Sequence, residues 1–314
     1  MALITVFSAK GAPGATTTAL LLATLWPRPS LLVDADPAGG DVALRLPDAQ
    51  GQALDTERGM LSLLPAARRG LVPHTVLSHA QTVLGGQQVV VGLRGPEQAR
   101  AADTLWPVLA ESFASVPGVD VIVDAGQVAS TDKHLALVDR AAVAVAVYRP
   151  RISSVMTMRR RLTALSDLLS TSPATTGVLA IATGKEAHDV ESAAATLRAD
   201  LPWLRDFGVL ADDPAAARMF DGLPVGRPER TMLARTGRRL VDTLVAELGQ
   251  DATAAGVAVD PGMAGPAGEH LEAEASPGQA SAAAYDPFAV PAREPEPGAS
   301  TRRRGRQRLG RGSR

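Results

Sequence analysis

Three short stretches carry residues suited to holding a phosphate and a metal ion. The first is AKGAPGATT, residues 9–17, in which Gly11 and Gly14 flank a loop and Thr16 and Thr17 lead into an apolar run. A phosphate cradle needs backbone N–H groups converging at a helix N-terminus, glycines for close approach and a hydroxyl for the metal. The second stretch, LLVDADPAGGD, places Asp34 and Asp36 at the end of an apolar run, and the third, VIVDAGQ, ends another in Asp124. The carboxyl end of a strand is where a doubly wound sheet binds its ligand. Against the phosphate-binding pattern G-x-x-x-x-G-K-[ST], the window Ala9–Thr16 keeps Gly14 and Thr16 but has Ala9 for the first glycine and Ala15 for the lysine. Alone, that match is no better than a strand-to-helix turn with incidental glycines. Asp34 and Asp36 could equally cap a helix or make the turn before Pro37, and Asp124 could be a solvated strand end.

Composition narrows the chemistry. The 314 residues are 46% hydrophobic with a formal net charge of −1, so no global field points to nucleic acid or an anionic membrane. The absence of cysteine removes disulfides, thiolate metal sites and cysteine nucleophiles, and fits a reducing cytoplasm. The five histidines, at 74, 79, 134, 188 and 270, show no metal-ligand spacing, and no G-x-S-x-G elbow occurs. The N-terminus lacks a basic region and its apolar run stops at Phe7, so it does not read as a signal peptide. No span of about 18 apolar residues implies a membrane crossing. Lysine occurs only at Lys10, Lys133 and Lys185, which makes the lysine beside Gly11 less easily background.

The elements around these stretches alternate. LITVF (3–7) reads as a buried strand, 16–25 as an apolar helix ended by Pro27, and 30–36 as a second strand. Further apolar runs at 88–93, 120–125, 141–148 and 176–183 are continuous rather than alternating, as strands covered on both faces require. Helical stretches are expected at 97–114, 152–170, 187–200 and 231–248, the last with Leu233, Leu240, Leu244 and Leu248 near one face. The expectation is an α/β fold: one doubly wound, mostly parallel sheet flanked by helices over residues 1–248. From 249 to 314 Ala, Pro, Gly and Glu dominate without periodicity, which predicts a disordered tail ending in the Arg-rich tip Arg302–Arg314.

Loop, D-x-D-P and h-h-h-D-x-G, in this order and context, resemble the ParA/MinD family of P-loop ATPases, whose loop reads K-G-G-x-G-K-T-T. The resemblance spans residues 1–248, including FGVLADDPAAARMFDGLPV, similar to the family's segment near the base pocket. QQVVVGLRGPEQARA is also similar to the CpaE/TadZ branch.

The resemblance implies ATP and Mg²⁺ as cofactors and a homodimer closed by nucleotide. Lys10 would be the signature lysine reaching the partner subunit's nucleotide, and Asp36 would orient the attacking water. Gly11, Gly14, Ala15, Thr16 and Thr17 would form the cradle, with the Thr16 hydroxyl on Mg²⁺, Asp124 holding the metal through water and Asp34 beside its shell. The departures are Ala15 for the loop lysine, Ala12 for the second glycine, and Pro13, which has no N–H. Losing a lysine opposite the phosphates removes a contact of roughly 1.5–3 kcal/mol, and such charges contribute about 10²–10³ in rate.

Two readings follow from the resemblance. One is a switch with slow hydrolysis that positions a cargo such as a chromosome, division site or envelope machine. The other is a non-hydrolysing scaffold that localises pilus or secretion machinery. Both imply an unidentified protein partner and a cytoplasmic protein recruited to nucleoid, pole or inner membrane surface. A third reading, DNA or another anionic surface, would use Arg159, Arg160 and Arg161 with the Arg302–Arg314 tip, although three arginines on a helix can simply be a solvated face. Trp26, Trp106 and Trp203 are expected in core or edge packing.

Overall fold

The sheet is built from eight strands whose order places the chain's first strand near the middle. The computed structural model describes residues 1–11 and 14–254, the last five as backbone alone. Expectations for the tail beyond residue 254 and for Ala12 and Pro13 lie outside the described residues. The strands are β1 (Leu3–Ser8), β2 (Ser30–Asp34), β3 (Gln81–Thr82), β4 (Gln88–Val90), β5 (Asp120–Gln127), β6 (Val143–Tyr148), β7 (Thr175–Ala182) and β8 (Arg205–Ala211), in the order β3-β4-β2-β5-β1-β6-β7-β8. All pairings are parallel except β3 with β4 at one edge. Parallel pairing sends the carboxyl ends of β1, β2, β5, β6, β7 and β8 to one edge of the sheet, where a doubly wound fold keeps its ligand crevice.

Strand alternation sorts the apolar side chains into two cores. Ile4, Val6, Leu32, Ile122, Val143, Val145, Leu179 and Ile181 share one face with α1 (Ala15–Leu25) and α6 (Met232–Ala254). Leu3, Phe7, Leu31, Val33, Val121, Val123, Ala144, Ala146 and Val178 share the other with α2 (Met60–Arg68), α3 (Trp106–Ala114), α4 (Ile152–Ala164) and α5 (Ala187–Arg198). Both faces are buried, which is why these strands read as unbroken apolar runs. On α6, Leu233, Leu240 and Leu244 are buried and Leu248 packs partly against them. A Cβ at Gly237 would come within 2.6 Å of Leu21, so glycine lets α6 lie close on α1.

Several boundaries differ from expectation. The stretch 97–114 is two helices, Pro96–Arg100 and α3, because turns intervene before Pro107 starts a new first turn. The stretch 152–170 breaks at Leu165 into α4 and Ser166–Thr171. The last helix runs six residues past 248, and β3, β8 and α2 are elements not anticipated. The tryptophans pack as expected: Trp106 is buried, Trp203 leans on the core, and Trp26 donates from Nε1 to Asp120 Oδ2 at 2.7 Å. Asp120 also accepts the Ala2 N–H at 2.8 Å and pairs with Arg28 at 2.7 Å, fastening the amino end of β5.

Candidate functional site

The loop after β1 turns directly into α1. Gly14, at φ 91°, is the N-cap of α1 and offers no side chain to the first-turn N–H groups. Those groups have no acceptor within the helix, so Ala15, Thr16 and Thr17 open the helix with backbone donors facing the loop. Thr18 instead closes on Gly14, its N–H and hydroxyl both reaching the Gly14 carbonyl at 2.8 Å. Gly11 is also left-handed, at φ 66°. Thr16 and Thr17 are half-buried, whereas Ala15 is fully buried within the apolar cluster under α1. Lys10 is exposed.

Register brings the acidic residues beneath this helix. Asp34 and Asp124 are partners across the β2–β5 pair, and both lie on the α1 face of the sheet because they continue the alternation of Leu32 and Ile122. The Thr16 hydroxyl is near enough to the Asp124 carboxylate to favour its charged form. Burial raises the Asp124 pKa to about 6, against the pull of the nearby Thr16 hydroxyl and of the Gly126 N–H at 3.0 Å. Asp34 is raised well above its ordinary value, first by burial and then by the Asp124 charge. Its carboxylate accepts the Val42 N–H at 3.2 Å and faces the Asp36 N–H at 3.5 Å, and it fills space that a Cβ at Gly40 or Gly92 would occupy. Asp34 thereby pins the chain that returns from the β2 end.

Asp36 sits higher in the crevice, half-buried, with its pKa raised by burial and held back by the Ala38 N–H at 2.8 Å. Its carboxyl lies over Gly126, where a Cβ would overlap it. Gly126 is at φ 59° in a bulge of β5, where the register with β1 shifts after Asp124. Sequence reasoning did not anticipate that role, although the small residues after Asp124 are its trace. His134 was also missed. It is buried, its Nε2 is 3.1 Å from the Gln127 carbonyl, and its ring stands 5.9 Å from that of Trp106. Burial lowers its pKa, and its charged form would act on Asp36 through space.

Across the crevice, Arg149 at the end of β6 forms a forked ion pair with Asp212 after β8, one arm at 3.1 Å. The pair raises the Arg149 pKa and lowers that of Asp212. The arginine run is largely used within the chain. Arg159 pairs with Asp200, Arg160 Nε reaches its own helix at Met156 O, and Arg161 donates to the Ala9 carbonyl at 3.4 Å.

Among the described residues no cluster of three or more His, Asp or Glu could cage a metal alone. The donors present, one hydroxyl and one carboxylate beside a glycine-bearing loop at a helix N-terminus, fit Mg²⁺, which keeps several waters and takes its other ligands from phosphates. The structure thus gathers Thr16, Asp124, Asp34 and Asp36 along one edge below the loop. It sets Lys10 on the opposite side, toward β6.

No protein-family model matches the chain, and no curated protein matches it. Solved structures share its fold. The ParA family ATPase of Chlorobium tepidum TLS superposes with a TM-score of 0.60 at 14% identity, covering 78% of this chain and 97% of that one. MinD of Pyrococcus horikoshii OT3, solved with Mg-ADP, gives 0.54 at 17%, covering 79% and 98%. A Cyanothece McdA variant in complex with ATP gives 0.56 at 18%, covering 79% and 96%. The chain therefore shares the fold of these ParA and MinD structures: a mostly parallel sheet with helices on both faces.

Proposed function

We propose that this protein is a nucleotide-dependent positioning switch of the ParA/MinD type, binding ATP with Mg²⁺ and turning it over slowly. The observation that carries the reading is the register that sets the buried Asp124 opposite Asp34 beneath the head of α1, whose first N–H groups face the loop. Phosphates would lie on the N–H groups of Ala15, Thr16 and Thr17, with Gly11 and Gly14 allowing close approach. The Thr16 hydroxyl and, through water, Asp124 would hold Mg²⁺, which when bound neutralises phosphate charge. Asp34 keeps the β2 end in place beside them, and Asp36 is placed to orient a water. Bound nucleotides in the MinD and McdA structures of the same fold support the choice of ligand.

Ala15 favours weak turnover. Its Cβ is fully enclosed by apolar neighbours, so no cation leaves the first turn of α1 toward the phosphates. Binding rests mainly on backbone donors and survives, whereas transition-state stabilisation depends on charges and is reduced. The same observation supports a second reading, a scaffold that binds nucleotide and dimerises without hydrolysis. In both, the nucleotide-bound homodimer presents a surface to a protein partner. DNA contact through Arg159–Arg161 is not favoured, because two of the three arginines already have partners on other elements. No helix among the described residues is long and apolar enough to cross a membrane.

Titration of the purified full chain with Mg·ATP tests the reading. Saturable binding that is weakened at least tenfold in Thr16→Ala and Asp124→Ala supports it. Absence of binding at millimolar ATP overturns it. Phosphate release, and sedimentation with and without ATP, then separate switch from scaffold.

A further inference from the structure

Position 15 lacks its cation, yet the crevice does not lack charge. A cleft of about 290 Å³ lies between the start of the loop, Ala9 and Lys10, and the junction of β6 with α4, where Arg149, Arg151, Ser153 and Thr157 line it. Sheet register puts these segments opposite each other, since Ser8 pairs with Val147 and both chains then leave the sheet on the same edge. Arg149 is occupied by Asp212, and its N–H is spent on Ser154 Oγ at 3.1 Å. Lys10 and Arg151 are different. Both are exposed, both face the cleft, and among the described residues neither has an ion-pair partner. The acids acting on Arg151, Glu186 and Asp212, do so through space, and each is already engaged, Glu186 with Thr183 and Asp212 with Arg149.

Two cations without an ion-pair partner that face one cleft repel each other, and a multivalent anion between them removes that cost. The loop that shares the cleft is the proposed phosphate site. An arginine's planar fork matches phosphate oxygens with two parallel donors, and its charge does not titrate. We infer that Arg151 supplies to the nucleotide's terminal phosphates the positive charge that Ala15 withholds, from the α4 side of the crevice instead of the α1 side. This rests on the reading of the loop as a nucleotide site. Arg151 is the N-cap of α4 with extended backbone, so its side chain is held at the head of a helix braced against the loop by Arg161.

The test compares Mg·ATP, Mg·ADP and AMP binding to the full chain for wild type, Arg151→Gln, Arg151→Lys and the distant exposed control Arg205→Gln. Loss of a charge-assisted phosphate contact weakens Mg·ATP binding about tenfold or more in Arg151→Gln. AMP binding should stay within twofold of wild type, and the salt dependence of ATP affinity should flatten. Arg151→Lys should recover most of the loss and Arg205→Gln should show none. Arg151→Gln within twofold of wild type for ATP overturns the inference, as does an equal loss for AMP and ATP, which marks a merely structural role. Wild type that binds no ATP at millimolar concentration overturns the nucleotide reading itself.

Discussion

Asp124→Asn separates stability from function at this site. Asp124 is buried beneath α1, its pKa near 6 against an ordinary 3.8. Below about pH 3 the carboxyl is protonated in folded and unfolded chains alike and carries no penalty. As pH rises through the window from 4 to 6, the unfolded chain ionises first, and the folded state loses stability. Above about pH 7 the full cost is in force, on the order of 3 kcal/mol. Asparagine keeps the shape and can still accept from the Gly126 N–H, 3.0 Å away in the wild type, but as a neutral acceptor it gives back about 1 kcal/mol. The nucleotide-free variant should therefore be about 1–2 kcal/mol more stable than wild type at pH 8, and no more stable at pH 4. Part of the gain comes from Asp34, whose pKa is raised partly by the Asp124 charge. Urea denaturation at pH 4, 6 and 8 measures the difference directly. Adding Mg·ATP should reverse the order, because only the wild type gains the full stabilisation of bound ligand. An asparagine variant that is less stable than wild type at pH 8 without nucleotide, by an amount independent of pH, refutes the reasoning.

Other substitutions probe the remaining parts. Ala15→Lys must thread its stem out of an apolar cluster and should cost about 1–3 kcal/mol without nucleotide. Thermal melts should show a larger Mg·ATP shift than in wild type, and phosphate release should accelerate. Gly126→Ala and Gly118→Ala both force alanine to positive φ, costing about 1 kcal/mol each, but only the first also collides with the Asp36 carboxyl. Denaturation midpoints should place Gly126→Ala clearly below Gly118→Ala. Arg149→Ala breaks the tie between the β6 and β8 ends, whose side chains are 28% and 22% exposed, and should cost about 0.5–2 kcal/mol at pH 7. Because Arg149 lowers the Asp212 pKa, that contribution is present above about pH 4 and fades as pH falls through the lowered value. The gap between wild type and variant should close in acid.

What could be read from the chain alone follows burial. β1, β2, β5, β6 and β7 are covered on both faces, so each appears as an apolar run that nothing else in a folded chain requires. β8 is an edge strand with Arg205 and Asp206 exposed and Gly208 within it, and β3 is two residues long; neither leaves a pattern. Pro65 inside α2 hid that helix as well. The site divides similarly. Thr16, Asp34, Asp36 and Asp124 belong to local motifs at strand ends, and their spacing announced them. Gly126 under Asp36, His134 beside it, the Arg149–Asp212 pair and Arg151 opposite Lys10 are defined by neighbours far along the chain, and only the register creates them.

The burial of Ala15 changes the meaning of its substitution. In the sequence, Ala15 is a deletion of charge from an otherwise familiar loop. In the fold, it is a core residue whose removal from solvent helps seat α1 on Ile4, Val6 and Ile122, alongside Ala19 and Leu22. The phosphate site proposed for the loop does not depend on that side chain, because the N–H groups of the first turn point outward whatever side chain stands there. In the proposed site, recognition then rests first on backbone donors, Thr16 and Asp124, to which the Arg151 contact adds, whereas turnover depends most on side-chain cations. A chain so arranged can lose the α1 cation and retain binding. Any recovery of charge must enter from another element, and β6 with α4 is the neighbour that register sets beside the loop.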